Sequence, residues 1–191
     1  MKNYRRMLAV ALTLFMVLLT AHKLSAAHEA THELRGRIIR VFDGDTVTLQ
    51  ENGGFQTSIR LAGIDAPENK MAYGVEAQAY LARLVINKEV VVIARKQDRY
   101  GRTVATVFLE TDDVNLSMLK AGMAWHYKKY ENEQSVIEAH SYARMEFNAR
   151  NKRIGLWQYD SPMPPWEWRE FRKNKARQFH SVSSSRRTHE Y

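Results

Sequence analysis

The sequence predicts an α+β fold that is mainly β, and three patterns support it. Five short segments read as strands, because β-branched and alternating apolar residues recur between turns rich in Gly, Asp and Asn. One helical segment is inserted between the third and fourth strands, and two more helices follow the fifth. This is the pattern of a five-stranded OB-fold barrel, here with three helices. At 191 residues the chain is long enough for one such domain with tails.

Strong turn signals separate the first three strands. Residues 34–42 form the first strand, which ends at the tight-turn dipeptide Asp43-Gly44. Residues 46–49 alternate Thr, Val, Thr and Leu as the second strand. Asn52-Gly53-Gly54 then turns the chain into the third strand, residues 55–62.

The remaining barrel elements follow in order. Apolar residues at helical spacing mark the inserted helix: Val75, Ala79, Ala82 and Ile86. A continuous apolar run at 90–94 predicts the fourth strand, and residues 103–109 predict the fifth.

Two further helices are expected after the barrel strands. Asp112 or Asp113 caps the first of them, which ends at Lys120. The second runs from about 133 to 153, and four residues are expected on its inward face: Ile137, His140, Ala143 and Phe147. Residues 156–157 are expected to fold back onto the core.

The residue composition excludes several classes of site. The chain contains no cysteine, so disulfides, thiolate zinc sites and a cysteine nucleophile are excluded. Its seven histidines lack the paired spacing of a zinc site, and His126 and His140 are expected to be structural or surface residues. A hydrophobic content of 45% indicates a globular core.

The net charge of +8 is concentrated at the two ends of the chain. Residues 1–27 contribute +4 and residues 169–191 contribute +5. Residues 28–168 hold 18 basic and 19 acidic groups, a net −1. Any attraction for nucleic acid must therefore be local or come from the tail.

Residues 1–27 have the composition of a cleavable secretory signal peptide. Basic residues precede an uncharged apolar run at 7–19, and small residues at 25–27 provide a cleavage site. The run is shorter than the roughly 20 residues of a membrane span, so an uncleaved anchor is the weaker alternative. We expect a periplasmic or secreted monomer without stable membrane association.

The predicted domain covers residues 28–160, and a Pro/Trp segment with a basic tail occupies 161–191. The sequence Pro-Pro-Trp-Glu-Trp-Arg at 164–169 is expected to pack against the barrel, with single-strand stacking as the alternative. Residues 179–191 are rich in serine and charge and are expected to be disordered.

Three residues of one short stretch suggest a functional site at the end of the third strand. Arg60 lies on the strand, and the following turn presents Asp65 and Glu68. One guanidinium and two carboxylates held together could bind a hard cation and a phosphate. The alternative interpretation is a solvated strand end with an internal salt bridge.

A second motif, Asp43-Gly44-Asp45-Thr46, supplies another carboxylate. Asp45 leaves the turn pointing toward the neighbouring strand, where Asp65 lies at the far end. With a backbone carbonyl such as that of Ala66 and several waters, the two aspartates would make an oxygen-only site, which Ca²⁺ accepts more readily than Mg²⁺. Glu68 would then be free, near the metal, to orient or deprotonate a water.

The third motif, Asp98-Arg99-Tyr100-Gly101-Arg102, joins the fourth and fifth strands. Alone it reads as a charged hairpin loop. Beside the other two motifs, it places a second arginine across the site from Arg60. Two guanidiniums can grip a phosphate bidentately and neutralise the charge that develops on its oxygens during attack.

These three motifs, in this order, resemble those of the staphylococcal nuclease family over residues 33–157. The resemblance implies an OB-fold barrel with three helices and Ca²⁺-dependent hydrolysis of DNA and RNA to products that end in 3′-phosphate. It also implies a role for each matching residue. Asp45 and Asp65 are metal ligands with the carbonyl of Ala66, Arg60 and Arg102 grip phosphate, and Glu68 is the base. Asp43 supports the ligands, and Arg99 and Tyr100 match positions that touch a terminal phosphate.

The chain departs from the family pattern at two places. The loop at 69–74 is shorter and less lysine-rich, and residues 125–130 match loosely, which leaves open which tyrosine contacts substrate. A nucleic-acid-binding module is the alternative function, because some family domains keep the barrel and lose the catalytic residues. The full acid and arginine set favours an enzyme here: Asp45, Arg60, Asp65, Glu68 and Arg102.

Overall fold

A computed structural model describes residues 32–187 of the chain, with side chains described for residues 32–178. The predicted signal peptide at 1–27 and the last four residues lie outside the described residues. Between residues 32 and 187, no helix is long and apolar enough to cross a membrane.

Short strands dominate the first half of the described chain, and helices dominate the second. The strands are β1 (His32–Asp43), β2 (Thr46–Glu51), β3 (Gln56–Leu61), β4 (Ile64–Asp65), β5 (Glu89–Gln97), β6 (Thr103–Leu109), β7 (Asp112–Asp113) and β8 (Trp125–His126). The helices are α1 (Gly74–Val85), α2 (Val114–Lys120), α3 (Val136–Asn151) and α4 (Pro165–Arg187), with 3₁₀ turns at Lys128–Glu133 and Gly155–Gln158.

Five strands close into a mixed barrel, as the sequence predicts. The order β3-β2-β1-β5-β6 is closed by a parallel pairing of β3 with β6, in which Ile59 lies opposite Thr103 and Leu61 opposite Ala105. The predicted OB-fold barrel is therefore confirmed, with α1 inserted between the third and fourth barrel strands.

The barrel interior is filled by alternate residues of the strands, which gives each strand its period-two pattern. Eight residues of the five barrel strands are at most 1% exposed: Ile38, Val47, Leu49, Ile59, Leu61, Val92, Ala105 and Val107. Helix α1 adds Ala77, Leu81 and Val85 to the same core. A second cluster contains Trp125, Leu156 and Trp157, so the predicted return of residues 156–157 onto the core is confirmed.

The side chain of Asn115, on α2, fastens the closing seam of the barrel. Its amide nitrogen donates to the carbonyl oxygens of Ala62 (3.0 Å) and Ala105 (3.1 Å). Its amide oxygen accepts from the backbone N–H of Val107 (3.2 Å). Asn115 is 0% exposed, so these partners have no access to water. The side chain thus supplies partners for the Ala62 carbonyl oxygen and the Val107 N–H, and a second donor for the Ala105 carbonyl oxygen, which also accepts from the N–H of Ala62 (2.7 Å).

The predicted inward face of α3 is wrong. Ile137 is 82% exposed and Phe147 is 62% exposed, whereas Tyr142, Glu146 and Ala149 are buried. The apolar periodicity is misleading because the inward face contains polar groups whose hydrogen bonds are satisfied. The hydroxyl of Tyr142 donates to Asp113 (2.9 Å), and this aspartate also caps α2 by accepting from the N–H of Leu116 (2.9 Å).

The last helix, α4, differs from the sequence prediction. The backbone is helical throughout Pro165–Arg187, including part of the segment that was expected to be disordered from residue 179. No glycine or proline follows Pro165 in the sequence, so no helix-breaking residue interrupts a helix that starts there. The three predicted barrel helices are present as α1 to α3, and α4 is an addition to them.

Removing the Asn115 amide should weaken the barrel seam. Asn115→Ala removes the side-chain partner of the buried Ala62 carbonyl oxygen and of the Val107 N–H, and takes one of two hydrogen bonds from the Ala105 carbonyl oxygen, which should lower the free energy of unfolding by about 2–4 kcal/mol. Urea unfolding followed by circular dichroism measures this change. Asn151→Ala, at an exposed position at the end of α3, is the matched control and should change stability little. Equal stability of the two variants would contradict the role of Asn115.

Candidate active site

One cavity of about 600 Å³ collects the residues that the sequence singles out. Its lining comes from the β1–β2 turn, the end of β3, the segment from β4 to Glu68, the β5–β6 hairpin and α4. These elements meet at one end of the barrel because β3 pairs with both β2 and β6. Loops that the sequence separates are thereby brought to one rim.

Two buried aspartates face each other across a single nitrogen of Arg60. Nη2 of Arg60 lies 3.1 Å from Oδ2 of Asp45 and 3.0 Å from Oδ1 of Asp65. Asp45 is 5% exposed and Asp65 is 1% exposed. Water cannot stabilise the negative charge of these buried carboxylates, and the Arg60 guanidinium provides an opposite charge to both.

The local backbone fixes this arrangement. Nη1 of Arg60 donates to the carbonyl oxygens of Leu61 (2.9 Å) and Ile64 (3.0 Å), so the guanidinium is held by the turn that follows its own strand. Gly63 permits that turn with a φ of +70°, where a side chain would be strained and would collide with Gln134. The chain then reverses into β4, which delivers Asp65.

The β1–β2 turn fixes the other carboxylate. The backbone N–H of Asp45 donates to Oδ1 of Asp43 (3.0 Å), and Thr46 Oγ1 donates to Oδ1 of Asp45 (3.1 Å). Asp45 Oδ2 also accepts from the N–H of Ala66 (2.7 Å), which ties the turn to the segment after β4. Asp43 thus acts on Asp45, as predicted, and the part played by the Ala66 carbonyl stays a prediction.

Burial raises the pKa of two carboxyl groups at this end of the barrel. Burial, followed by the neighbouring charge of Asp45, raises the pKa of Asp43 to about 7. Burial also raises the pKa of Asp65, and hydrogen bonds from Arg169 oppose the change only in part. A bound cation would stabilise the ionised form of these carboxylates.

The β5–β6 hairpin presents the second arginine. Oδ2 of Asp98 accepts from Nε of Arg102 (2.8 Å) and lies 2.7 Å from its Nη2. Oδ1 accepts from the backbone N–H groups of Tyr100 and Arg102, so one aspartate shapes the loop and orients the guanidinium. Nη1 of Arg102 reaches toward Thr46 (3.4 Å), beside Asp45. Burial alone would raise the pKa of Asp98, but the hydrogen bonds from Arg102 and Tyr100 hold it below its usual range.

Arg99 and Tyr100 lie at the outer edge of the cavity. Nη2 of Arg99 donates to the hydroxyl of Tyr100 (2.7 Å), and that tyrosine is 68% exposed. Tyr127 and Tyr130 line the cavity from the opposite side, with ring centroids 5.1 Å apart. The structure thus brings both tyrosines of the loosely matched segment to the site.

Glu68 is not free, which corrects the prediction. Its Oε1 accepts from Nη1 of Arg169 (2.9 Å), and Nη2 of the same guanidinium donates to Oδ2 of Asp65 (2.6 Å). Partial burial alone would lower the pKa of Arg169, but its hydrogen bonds and charge interactions with these two carboxylates raise it. Gly74 keeps the Glu68 segment close to α1, because a side chain there would lie 2.0 Å from the Glu68 carbonyl oxygen.

Asp45 and Asp65 are the described residues best placed to hold a hard cation. Their oxygens converge on one nitrogen of Arg60, and all the available donors are oxygen atoms. Within residues 32–178, no group of three or more acidic or histidine side chains could bind a metal ion by themselves. The pair therefore fits a site that carbonyl oxygens and waters complete, which is a common arrangement for Ca²⁺.

Comparison with known proteins identifies the family. A family model described as "Staphylococcal nuclease homologue" matches residues 58–159, which is more than half of the chain. The chain belongs to the staphylococcal nuclease family. Two relatives of similar length support this. An "Uncharacterized endonuclease" of Haemophilus influenzae is 38% identical over 150 residues, covering 78% of this chain and 81% of that protein.

The second relative is a "Micrococcal nuclease" of Shigella flexneri. It is 37% identical over 152 residues, which covers 74% of this chain and 84% of the relative. Together, the family model and the nuclease relatives support a nuclease function for this chain.

The predicted residues of the staphylococcal nuclease site come together, with one addition. The five acids and arginines and the Arg99–Tyr100 pair line the same cavity. Sequence reasoning missed Arg169, which was assigned to the basic tail. No local sequence pattern could place Arg169 at the site, because it lies 104 positions after its partner Asp65.

Asp98 should support catalysis through Arg102. Asp98→Ala removes the contacts that orient the guanidinium, and the nuclease rate should fall about ten- to a hundredfold through misplacement alone. Initial rates on a DNA substrate measure this, together with a melting curve that reports folding. Asp112→Ala removes the same charge at an exposed position of β7 and should leave the rate unchanged. Full activity of Asp98→Ala would refute this dependence.

Proposed function

We propose that this chain is a Ca²⁺-dependent endonuclease that hydrolyses DNA and RNA with little sequence specificity and leaves 3′-phosphate ends. The supporting observation is the geometry at Arg60, whose guanidinium lies between Asp45 and Asp65 in the cavity that Arg102 also lines. A cation-binding pair of carboxylates and two phosphate-binding guanidiniums are thus within reach of one substrate phosphate. Membership of the staphylococcal nuclease family supports the same conclusion.

The family resemblance supplies the reaction class, and the residue types fit it. Water attacks the phosphorus atom, Glu68 accepts one proton of that water, and the bond from phosphorus to the 5′-oxygen breaks. The 5′-oxygen takes a proton from solvent as it leaves, which gives a 5′-hydroxyl and a 3′-phosphate. A cation held by Asp45 and Asp65 would supply neutralisation of the phosphate charge. Arg60 and Arg102 stabilise the additional negative charge of the transition state.

The surroundings of the cavity suit a polyanion. Four basic side chains line it: Arg99 and Lys129, together with Arg95 and Lys96, which are ion-paired with Glu138 and Glu133. Contacts of this kind act on phosphates and carry no sequence information, which supports low specificity. The exposed rings of Tyr100 and Tyr130 offer stacking surfaces that accept any base.

We also propose that the protein acts in the periplasm or outside the cell as a monomer. The composition of residues 1–27 supports export, and removal of that segment would release the mature chain from the membrane. The absence of cysteine makes folding independent of the redox state of the compartment.

Chelation should abolish activity. Excess EDTA should stop cleavage of DNA and RNA by the purified mature protein, and Ca²⁺ should restore it while Mg²⁺ restores little. Fluorogenic single-stranded DNA and RNA substrates provide the measurement, and end-labelling of the products identifies the 3′-phosphate. Undiminished cleavage in excess chelator would overturn the proposal.

Substitutions of the arginines and of the acids should affect kcat and Ca²⁺ affinity differently. Arg60→Lys and Arg102→Lys keep the charge and lose the planar fork, so kcat should fall roughly 10²–10³-fold with a smaller change in substrate affinity. Glu68→Gln should lower kcat without weakening Ca²⁺ binding, whereas Asp45→Asn and Asp65→Asn should lose Ca²⁺ affinity first. Rate measurements and calorimetric Ca²⁺ titrations distinguish these roles. Loss of Ca²⁺ binding in Glu68→Gln but not in Asp65→Asn would reverse the assignment.

A further inference from the structure

Arg169, on α4, contacts two acidic residues of the cavity, Asp65 and Glu68, through both terminal nitrogens of its guanidinium. Nη2 donates to Oδ2 of Asp65 (2.6 Å), and Nη1 donates to Oδ1 of Asp65 (3.2 Å) and to Oε1 of Glu68 (2.9 Å). A single cationic group therefore holds both oxygens of Asp65 and one oxygen of the proposed base.

A divalent cation at this site would use an oxygen of Asp65. Asp65 is 1% exposed, and its oxygens are held by two guanidiniums: Oδ1 accepts from Arg60 and Arg169, and Oδ2 accepts from Arg169. A cation at Asp65 and the Arg169 guanidinium on the same oxygens would therefore compete for lone pairs and repel each other.

Helix α4 is fastened beside the cavity one turn before Arg169. The Trp166 ring stacks on Tyr127 with centroids 5.5 Å apart and an interplanar angle of 12°, and it packs edge-on against Trp125 at 6.4 Å. The side chain of Arg169 remains 41% exposed. Its long flexible stem therefore has room to leave the carboxylates while Trp166 keeps the helix in place.

We propose that Arg169 is an internal competitor for the divalent cation. In the metal-free protein it neutralises Asp65 and Glu68, and cation binding displaces it and releases Glu68 for water. This inference rests on the proposed Ca²⁺ dependence. Cation binding must first break the Arg169 contacts. The apparent Ca²⁺ affinity is therefore the intrinsic affinity multiplied by the fraction of molecules in which Arg169 has left the carboxylates.

Calcium titration of metal-stripped protein by isothermal calorimetry tests this competition. Arg169→Ala should bind Ca²⁺ more tightly than the wild type, on the order of tenfold. The matched control is Arg177→Ala, which removes the same charge from an exposed position about 12 Å further along α4. The control should keep the wild-type affinity, which separates direct competition from a general change in charge.

Thermal unfolding provides a second measurement that does not involve activity. In EDTA, Arg169→Ala should melt at a lower temperature than the wild type, because the buried Asp65 then keeps only one of its two guanidinium partners, Arg60. In saturating Ca²⁺ the difference should close, because the cation replaces Arg169 in the wild type as well. A residue that merely fastens α4 to the barrel would show the same difference in both conditions.

The outcomes distinguish this inference from the proposed function. Tighter Ca²⁺ binding by Arg169→Ala, with a melting difference confined to EDTA, supports the competition. Equal Ca²⁺ affinity of the wild type and Arg169→Ala, with Ca²⁺-dependent cleavage in both, overturns it and leaves the proposed function standing. No detectable Ca²⁺ binding by either protein, with cleavage that persists in chelator, overturns both.

Discussion

The site depends on the placement of one guanidinium between two carboxylates that have lost their water. Asp45 comes from the β1–β2 turn and Asp65 from β4; both are nearly inaccessible, and without Arg60 their mutual repulsion would oppose folding of this end of the barrel. The turn after β3 holds the other nitrogen of Arg60 through two carbonyl oxygens, so the position of the compensating charge is fixed by the backbone.

The barrel topology brings the remaining groups to this pair. Strand β3 has β2 on one side and β6 on the other, so the turn that carries Asp45 and the hairpin that carries Arg102 both flank Arg60. Asp98 gives the hairpin arginine a fixed direction, and Asn115 secures the seam on which the distance between the two arginines depends. Arg102, a predicted phosphate-binding residue, is thus oriented by its neighbour Asp98.

Much of the fold and most of the site could be predicted from the sequence, because their signals are local. Turn dipeptides and alternating apolar residues determine the barrel strands, and three short motifs contain the acids and arginines. The inward face of α3 could not be predicted from apolar spacing, since Tyr142 and Glu146 are buried with satisfied hydrogen bonds while Phe147 is exposed. The contacts of Arg169 could not be predicted for a different reason. They depend on how α4 packs against the barrel through Trp166, and no sequence pattern near residue 169 indicates that packing.

The parallel seam between β3 and β6 also has a kinetic consequence. It joins segments separated by α1 and the whole of β5, so closing it requires a long loop to be ordered before its contacts form. The β1–β3 meander can form early from near neighbours in the chain, whereas Arg60 and Arg102 meet only after closure. Partly folded molecules therefore contain the acidic turn motifs without the paired arginines, and nuclease competence arises late in folding as a property of the closed barrel.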